Sequence, residues 1–220
     1  MQPKKNPKAD LNQNRNLYFV IGLDHKTDDP LSVEYFNNLK SLESDTLKVV
    51  SVDNKLIDKP LTTVTATSNF FNLVESCETE WFMMWEHDWV FARPIDNEQL
   101  KLENTDIDMV RFNQHPNVDK DGEVLWVEDN KLFTNYYCNN PFVTSKTFWN
   151  EKVVPIAENI PDWWGEYGAF IEGPMKQYRD EQLQTEEGKR EYLKNYRIAL
   201  YGKMGDEPSV YHLDGQRWGG

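Results

Sequence analysis

The chain has 220 residues, 39% of them hydrophobic, with 8 Trp, 10 Tyr and 11 Phe. That is enough to bury a sizeable core and too aromatic for a disordered polymer. Its 24 basic and 37 acidic residues give a net charge of −13, which repels a phosphate backbone and argues against a nucleic-acid partner.

Residues 1–16 are polar, with Lys4, Lys5, Lys8 and Arg15, and read as a disordered tail; a basic docking arm is the alternative. Residues 17–220 read as one domain. Leu17-Tyr18-Phe19-Val20-Ile21-Gly22-Leu23 has the signature of a buried strand. After a polar loop, Asp29-Pro30 reads as a helix N-cap and first helical position, with Val33, Phe36, Leu39 and Leu42 at helical spacing behind it. Leu47-Lys48-Val49-Val50-Ser51-Val52 is a second strand ending at Asp53. Strand, helix, strand is the opening of a βαβ unit with a parallel sheet.

Residues 62–67 are β-prone, and Ser68 can cap a helix carrying Phe70, Phe71, Val74 and Cys77. Trp81-Phe82-Met83-Met84-Trp85 is the densest apolar run and the best candidate for a central strand. It leads straight into Glu86-His87-Asp88. Residues 107–112 form a further strand, followed by a polar loop with Asn117, Asp119, Asp121 and Gly122. Asn139-Asn140-Pro141-Phe142-Val143-Thr144 reads as a turn entering a short strand, and residues 162–166 as a Trp-rich loop. Residues 175–195 are charged and helix-prone, as one or two exposed helices. Residues 197–202 and 209–213 read as short strands around a Gly205-Asp206 turn.

Cys77 and Cys138 are too few for a disulfide framework and form no Cys-x-x-Cys metal pattern. No apolar run approaches the ~18 residues of a membrane span, and the N-terminus lacks a signal-peptide stretch. The expectation is a cytoplasmic chain without a transmembrane segment.

Glu86-His87-Asp88 is the sharpest chemical signal. In extended backbone, residues i and i+2 share a face, so the two carboxylates would point together and repel. A bound Mn²⁺ or Mg²⁺ relieves that repulsion, because hard cations prefer carboxylate oxygen. It would also let an anionic ligand approach so acidic a chain. The bland reading is an acidic strand end facing water. Open α/β sheets bind ligands beyond the carboxyl ends of their strands, which is where this stretch would lie.

Trp85-Glu86-His87-Asp88-Trp89-Val90-Phe91 resembles the acidic motif of bacterial and viral enzymes related to glycosyltransferase family 2, of the GT-A type. Val110-Arg111-Phe112-Asn113, Asn139-Asn140-Pro141-Phe142-Val143 and Val210-Tyr211-His212-Leu213-Asp214-Gly215 fit the same group in the same order. The resemblance implies an α/β fold: one GT-A-like, Rossmann-like domain with a mostly parallel central sheet flanked by helices. It implies a sugar moved from a nucleotide-sugar donor to a glycan or other hydroxyl acceptor. Asp88 would coordinate the metal at the donor diphosphate, and Glu86 would hold the ribose or the metal. The commoner motif has Asp at both ends, so Glu86 is a departure. Asp53 would recognise the nucleotide base, unless it is a helix cap or a solvated turn. His212 would add a metal ligand, with Asp214 as the alternative.

An inverting transfer needs a general base for the acceptor hydroxyl. Glu172 is the first choice, with Glu166 and Asp162 as competitors. Trp163 and Trp164 would stack on a sugar ring or pack their loop. Arg111 would add positive charge at the diphosphate or pair with a local acid. Asn139 and Asn140 offer donors and acceptors for sugar hydroxyls, or simply form the turn before Pro141. A non-catalytic nucleotide-sugar or glycan-binding domain is the rival reading. A nucleotidyltransferase is weaker still, because no Gly-rich phosphate loop follows the first strand.

Overall fold

The computed structural model describes residues 19–25, 29–45, 47–53, 70–71, 73–86, 88–100, 102, 105–118, 125–159 and 171–213. Strand β1 (Phe19–His25) pairs in parallel with β2 (Leu47–Asp53). Helix α1 (Pro30–Lys40) connects them. Asp29 caps it as the sequence predicts: its Oδ1 accepts the Leu31 N–H at 3.0 Å, and Pro30 sits at the first position, where no N–H is needed. The βαβ opening is therefore real.

The sheet that follows is not the mostly parallel one expected. β3 (Trp81–Met84), β5 (Met109–Arg111), β6 (Leu125–Glu128), β7 (Lys131–Thr134), β8 (Phe142–Ser145) and β9 (Ile198–Leu200) form a six-stranded sheet in the order β3-β8-β5-β9-β7-β6. Only the β5–β9 pair is parallel; the other four are antiparallel. Parallel neighbours need a long crossover, whereas a two-residue turn forces antiparallel pairing. Asp129 and Asn130, with φ of 48° and 62°, make such a turn between β6 and β7.

The Trp81 run is also not central. β3 ends the strand order, with Met83 exposed. β5 is one of the inner strands, buried at all three positions and flanked by β8 and β9. Length and hydrophobicity favoured β3, but a strand's place in a sheet depends on its partners, not on its own apolar content.

Side-chain alternation along β5 and β9 divides the core in two. Met109 and Ile198 join a cluster around Trp149, which is fully buried among the rings of Phe70, Phe71, Phe82 and Phe142. Val110 and Ala199 join the other cluster, with Phe112, Trp89, Tyr201 and Val210. Helices cover the first face. α2 (Lys146–Phe148) runs through a π-helical stretch, Trp149–Val153, into α3 (Val154–Asn159); α4 (Glu172–Gln182) and α5 (Glu186–Asn195) follow. The charged 175–195 stretch is thus two helices, but not simply exposed ones: Met175, Arg179 and Tyr192 are buried.

On the second face, β4 (Trp89–Phe91) pairs antiparallel with β10 (Val210–His212). The two C-terminal strands around Gly205 exist, but they join different sheets. Among the described residues, no helix is long and apolar enough to cross a membrane. Both cysteines are free thiols. The predicted tail, residues 62–68, Asp119, Asp121 and Gly122 lie outside the described residues.

Candidate functional site

The acidic stretch lies between two sheets. β3 ends at Met84, and β4 begins at Trp89. The Trp89 N–H donates back to the Glu86 carbonyl at 3.3 Å, so the chain turns here instead of running extended. The same-face argument for Glu86 and Asp88 therefore fails, but the turn still holds the two carboxylates within each other's field. Burial pushes the Glu86 carboxyl up, and the Asp88 charge pushes it up further; the Trp89 indole opposes both, and the more distant Glu172 raises it again.

β10 brings a residue from far along the chain. His212 stands opposite Trp89 in the antiparallel register, and its Nε2 lies 3.0 Å from Asp88 Oδ2. The Trp89 ring meets the imidazole edge-on, with centroids 4.6 Å apart. The Leu213 N–H donates to the Asp88 carbonyl at 2.7 Å, which locks the register. Asp88 Oδ1 is buried and has no hydrogen-bond partner among the described residues.

A buried polar network fixes β10. Asn113 and Ser209 exchange bonds: the Ser209 N–H donates to the Asn113 carbonyl, and the Asn113 N–H to Ser209 Oγ, both at 2.8 Å. Asn113 Nδ2 donates to Asn117 Oδ1 at 3.2 Å. Asn117 Nδ2 in turn reaches the carbonyls of Tyr201 and Lys203. Since β10 carries His212, these amides set the imidazole's position.

Glu172 opens α4. Its carboxylate accepts the Asn139 N–H, which ties the helix to the turn before β8. Burial raises its pKa, while the Asn139 N–H and the Arg111 charge pull the other way. Arg111, at the end of β5, is 2% exposed and donates from Nη1 to the Tyr136 carbonyl at 2.9 Å. The Tyr137 phenol is buried too. Burial, then the charge of Glu172, keeps it protonated, and its hydroxyl has no hydrogen-bond partner among the described residues.

The structure thus gathers Glu86, Asp88, His212, Glu172, Arg111 and Asn139 into one neighbourhood. Asn139 Oδ1 is buried and has no hydrogen-bond partner among the described residues. Asn140 instead turns inward, its Nδ2 donating to the Phe112 carbonyl at 3.1 Å. Asp53 ends β2 opposite His25, and its side chain is outside the described part. Asp162, Trp163, Trp164, Glu166, His87 and Asp214 lie outside the described residues. Among the described residues, no three His, Cys, Asp or Glu side chains gather closely enough to hold a metal ion by themselves. Glu86, Asp88 and His212 are therefore a close pair with a third acid nearby, not a finished triad.

Sequence reading missed Tyr136, Tyr137 and Arg179. The signal for Arg179 was its spacing: Glu172, Met175 and Arg179 recur at helical intervals and share one face of α4. Comparison with known proteins returns no matching family, no matching curated protein and no matching solved structure.

Proposed function

We propose that this chain is a metal-dependent glycosyltransferase that moves a sugar from a nucleotide-sugar donor to a hydroxyl of a glycan or other acceptor, with inversion. The observation that carries the reading is the convergence of Asp88 and His212, 3.0 Å apart from distant parts of the chain, with one Asp88 oxygen buried and unbonded among the described residues. The resemblance of Trp85-Glu86-His87-Asp88-Trp89 to a glycosyltransferase motif supports it. The mixed, mostly antiparallel sheet is not the one that resemblance implies, so the reading rests on the site and not on the fold.

Carboxylate and imidazole suit Mn²⁺, and carboxylate with retained water suits Mg²⁺. Asp88 and His212 would hold the ion, with Glu86 beside them. Two protein ligands would leave such a cation with positions open to water and to ligand oxygens. When bound, such a cation acts as a Lewis acid toward the departing nucleoside diphosphate.

The remaining chemistry belongs to the chain. Glu172 takes the proton from the acceptor hydroxyl, and its burial makes it a stronger base than a solvated carboxylate. The freed oxygen forms a bond to the anomeric carbon. The bond from that carbon to the diphosphate breaks, and its electron pair leaves with the nucleoside diphosphate. The Asn139 N–H orients the Glu172 carboxylate, and Tyr137 offers a neutral hydroxyl donor.

The test is a thermal-shift screen of nucleotide sugars with and without Mn²⁺, followed by product analysis. A ligand that binds the folded state raises its melting temperature. Stabilisation should need both donor and Mn²⁺, vanish in Asp88→Ala, and lead to release of nucleoside diphosphate instead of pyrophosphate. Donor binding that ignores Mn²⁺ and survives Asp88→Ala would remove the assignment. Binding without any release would leave a non-catalytic binding domain.

A further inference from the structure

In a chain of net charge −13, two arginines are buried against one tyrosine. Arg111 is 2% exposed and Arg179 5%. Their Cζ atoms lie 5.8 Å and 4.6 Å from the centre of the Tyr136 ring. A cation over an aromatic face gains less than burying its charge costs. The ring offsets only part of the cost.

Nor do the hydrogen bonds of Arg179 close the gap. Its Nε and Nη2 both donate to a single oxygen, Asp180 Oδ1, at 2.8 and 2.5 Å. Asp180 is 47% exposed and shared with Lys176, 3.5 Å from its other oxygen. Arg179 Nη1 is buried and has no hydrogen-bond partner among the described residues. An unmet buried donor on a charged group is costly, so a fold retains one chiefly where something else supplies the acceptor. A guanidinium fork matches phosphate and carboxylate oxygens.

Placement relates this cation to the candidate base. Arg179 lies seven residues after Glu172 on the same face of α4, about 10 Å along the axis at 1.5 Å per residue. Arg111 stands at the same ring and within the field of Glu172. The hydrogen bonds of Arg179 go to Asp180 and not to the Asp88–His212 pair, which is assigned above to the donor diphosphate.

We propose that Arg179, flanked by Arg111 at the Tyr136 ring, forms an anion subsite that takes a phosphate or carboxylate group of an anionic acceptor, two helical turns from Glu172. The word acceptor rests on the glycosyl-transfer reading; anion binding by Arg179 does not. The subsite needs no metal, so it can be tested without one.

The probe is inorganic phosphate in EDTA, read as a melting-temperature shift against sodium chloride of equal ionic strength. Wild type and Asp88→Ala should both be stabilised by phosphate. Arg179→Gln should bind it at least ten-fold more weakly, and Arg179→Lys, which keeps the charge but loses the fork, should fall between. If the glutamine variant lacks a cooperative melt, the lysine variant decides the matter. No phosphate-specific shift in wild type, or an undiminished response in the folded Arg179 variants, overturns the proposal. A further arm adds saturating nucleoside diphosphate with Mn²⁺. Additive stabilisation by phosphate supports an acceptor subsite, whereas loss of the phosphate effect assigns the anion to the donor and overturns the acceptor claim. The EDTA arm uses neither metal nor sugar nucleotide, so its failure is distinct from a failure of the glycosyltransferase reading.

Discussion

Replacing Glu172 by glutamine keeps the shape of a half-buried side chain and removes its charge. If Glu172 is the base, turnover falls by about 10²–10⁴, or roughly 3–5 kcal/mol of barrier, with donor affinity little changed. Stability moves the other way. Burial holds the Glu172 pKa above its unfolded value, so the folded chain keeps this proton more tightly than the unfolded one. Stability from this group is then fully present below the unfolded pKa, near 4.3, and is lost as pH rises through the folded pKa. Glutamine has no such loss. Opposing this, the Asn139 N–H exchanges a charged acceptor for a neutral one, at a cost of roughly 1 kcal/mol. The variant should therefore gain on wild type as pH rises from 4 to 8. Thermal melts across that range and a nucleoside-diphosphate release assay read both effects. Unchanged turnover would move the base role to Glu166 or Asp162. A stability gap that grows in the variant's favour toward acid pH would refute the buried-charge argument.

Asp88→Ala should abolish transfer yet cost the fold no more than about 1–3 kcal/mol, because the pair is only partly exposed, at 27% for Asp88 and 18% for His212, and its loss leaves the imidazole without that partner; chemical denaturation checks this. Asn117→Ala removes the amide joining Asn113 to the Tyr201 and Lys203 carbonyls and should cost about 1–3 kcal/mol. Because that network carries β10, the variant should also need more Mn²⁺ for the same donor-induced thermal shift, and an unchanged Mn²⁺ requirement would detach the network from the site. Trp149→Ala empties the centre of the ring cluster and should cost about 3–5 kcal/mol in urea unfolding. A loss well below 1 kcal/mol would mean that the cluster is not the core.

Local signals carried far in this sequence. Asp29-Pro30 marks a helix start because a carboxylate can accept an orphan N–H and proline lacks one, and both facts are properties of adjacent residues. The strands at 19–25, 47–53, 109–111 and 142–145 are legible for the same reason. So is the crowding of Glu86 and Asp88, whose like charges are neighbours along the chain. The reach of Glu172 to Asn139, or of Arg179 to Tyr136, is not, since each pair is separated by tens of residues and joined only by packing.

Sequence by itself determined the strand-helix-strand opening, several of the later strands, the acidity and the pairing of two acids, because these depend on neighbours along the chain; it left β4, β6, β7 and the helical stretch 146–159 unread. Tertiary structure alone decided that β3 lies at the end of its sheet and β5 inside it, that most pairings are antiparallel, and that His212 meets Asp88. Each of those facts depends on which strand closes against which. That choice is made by burial summed over the whole chain, and no short stretch of residues records it.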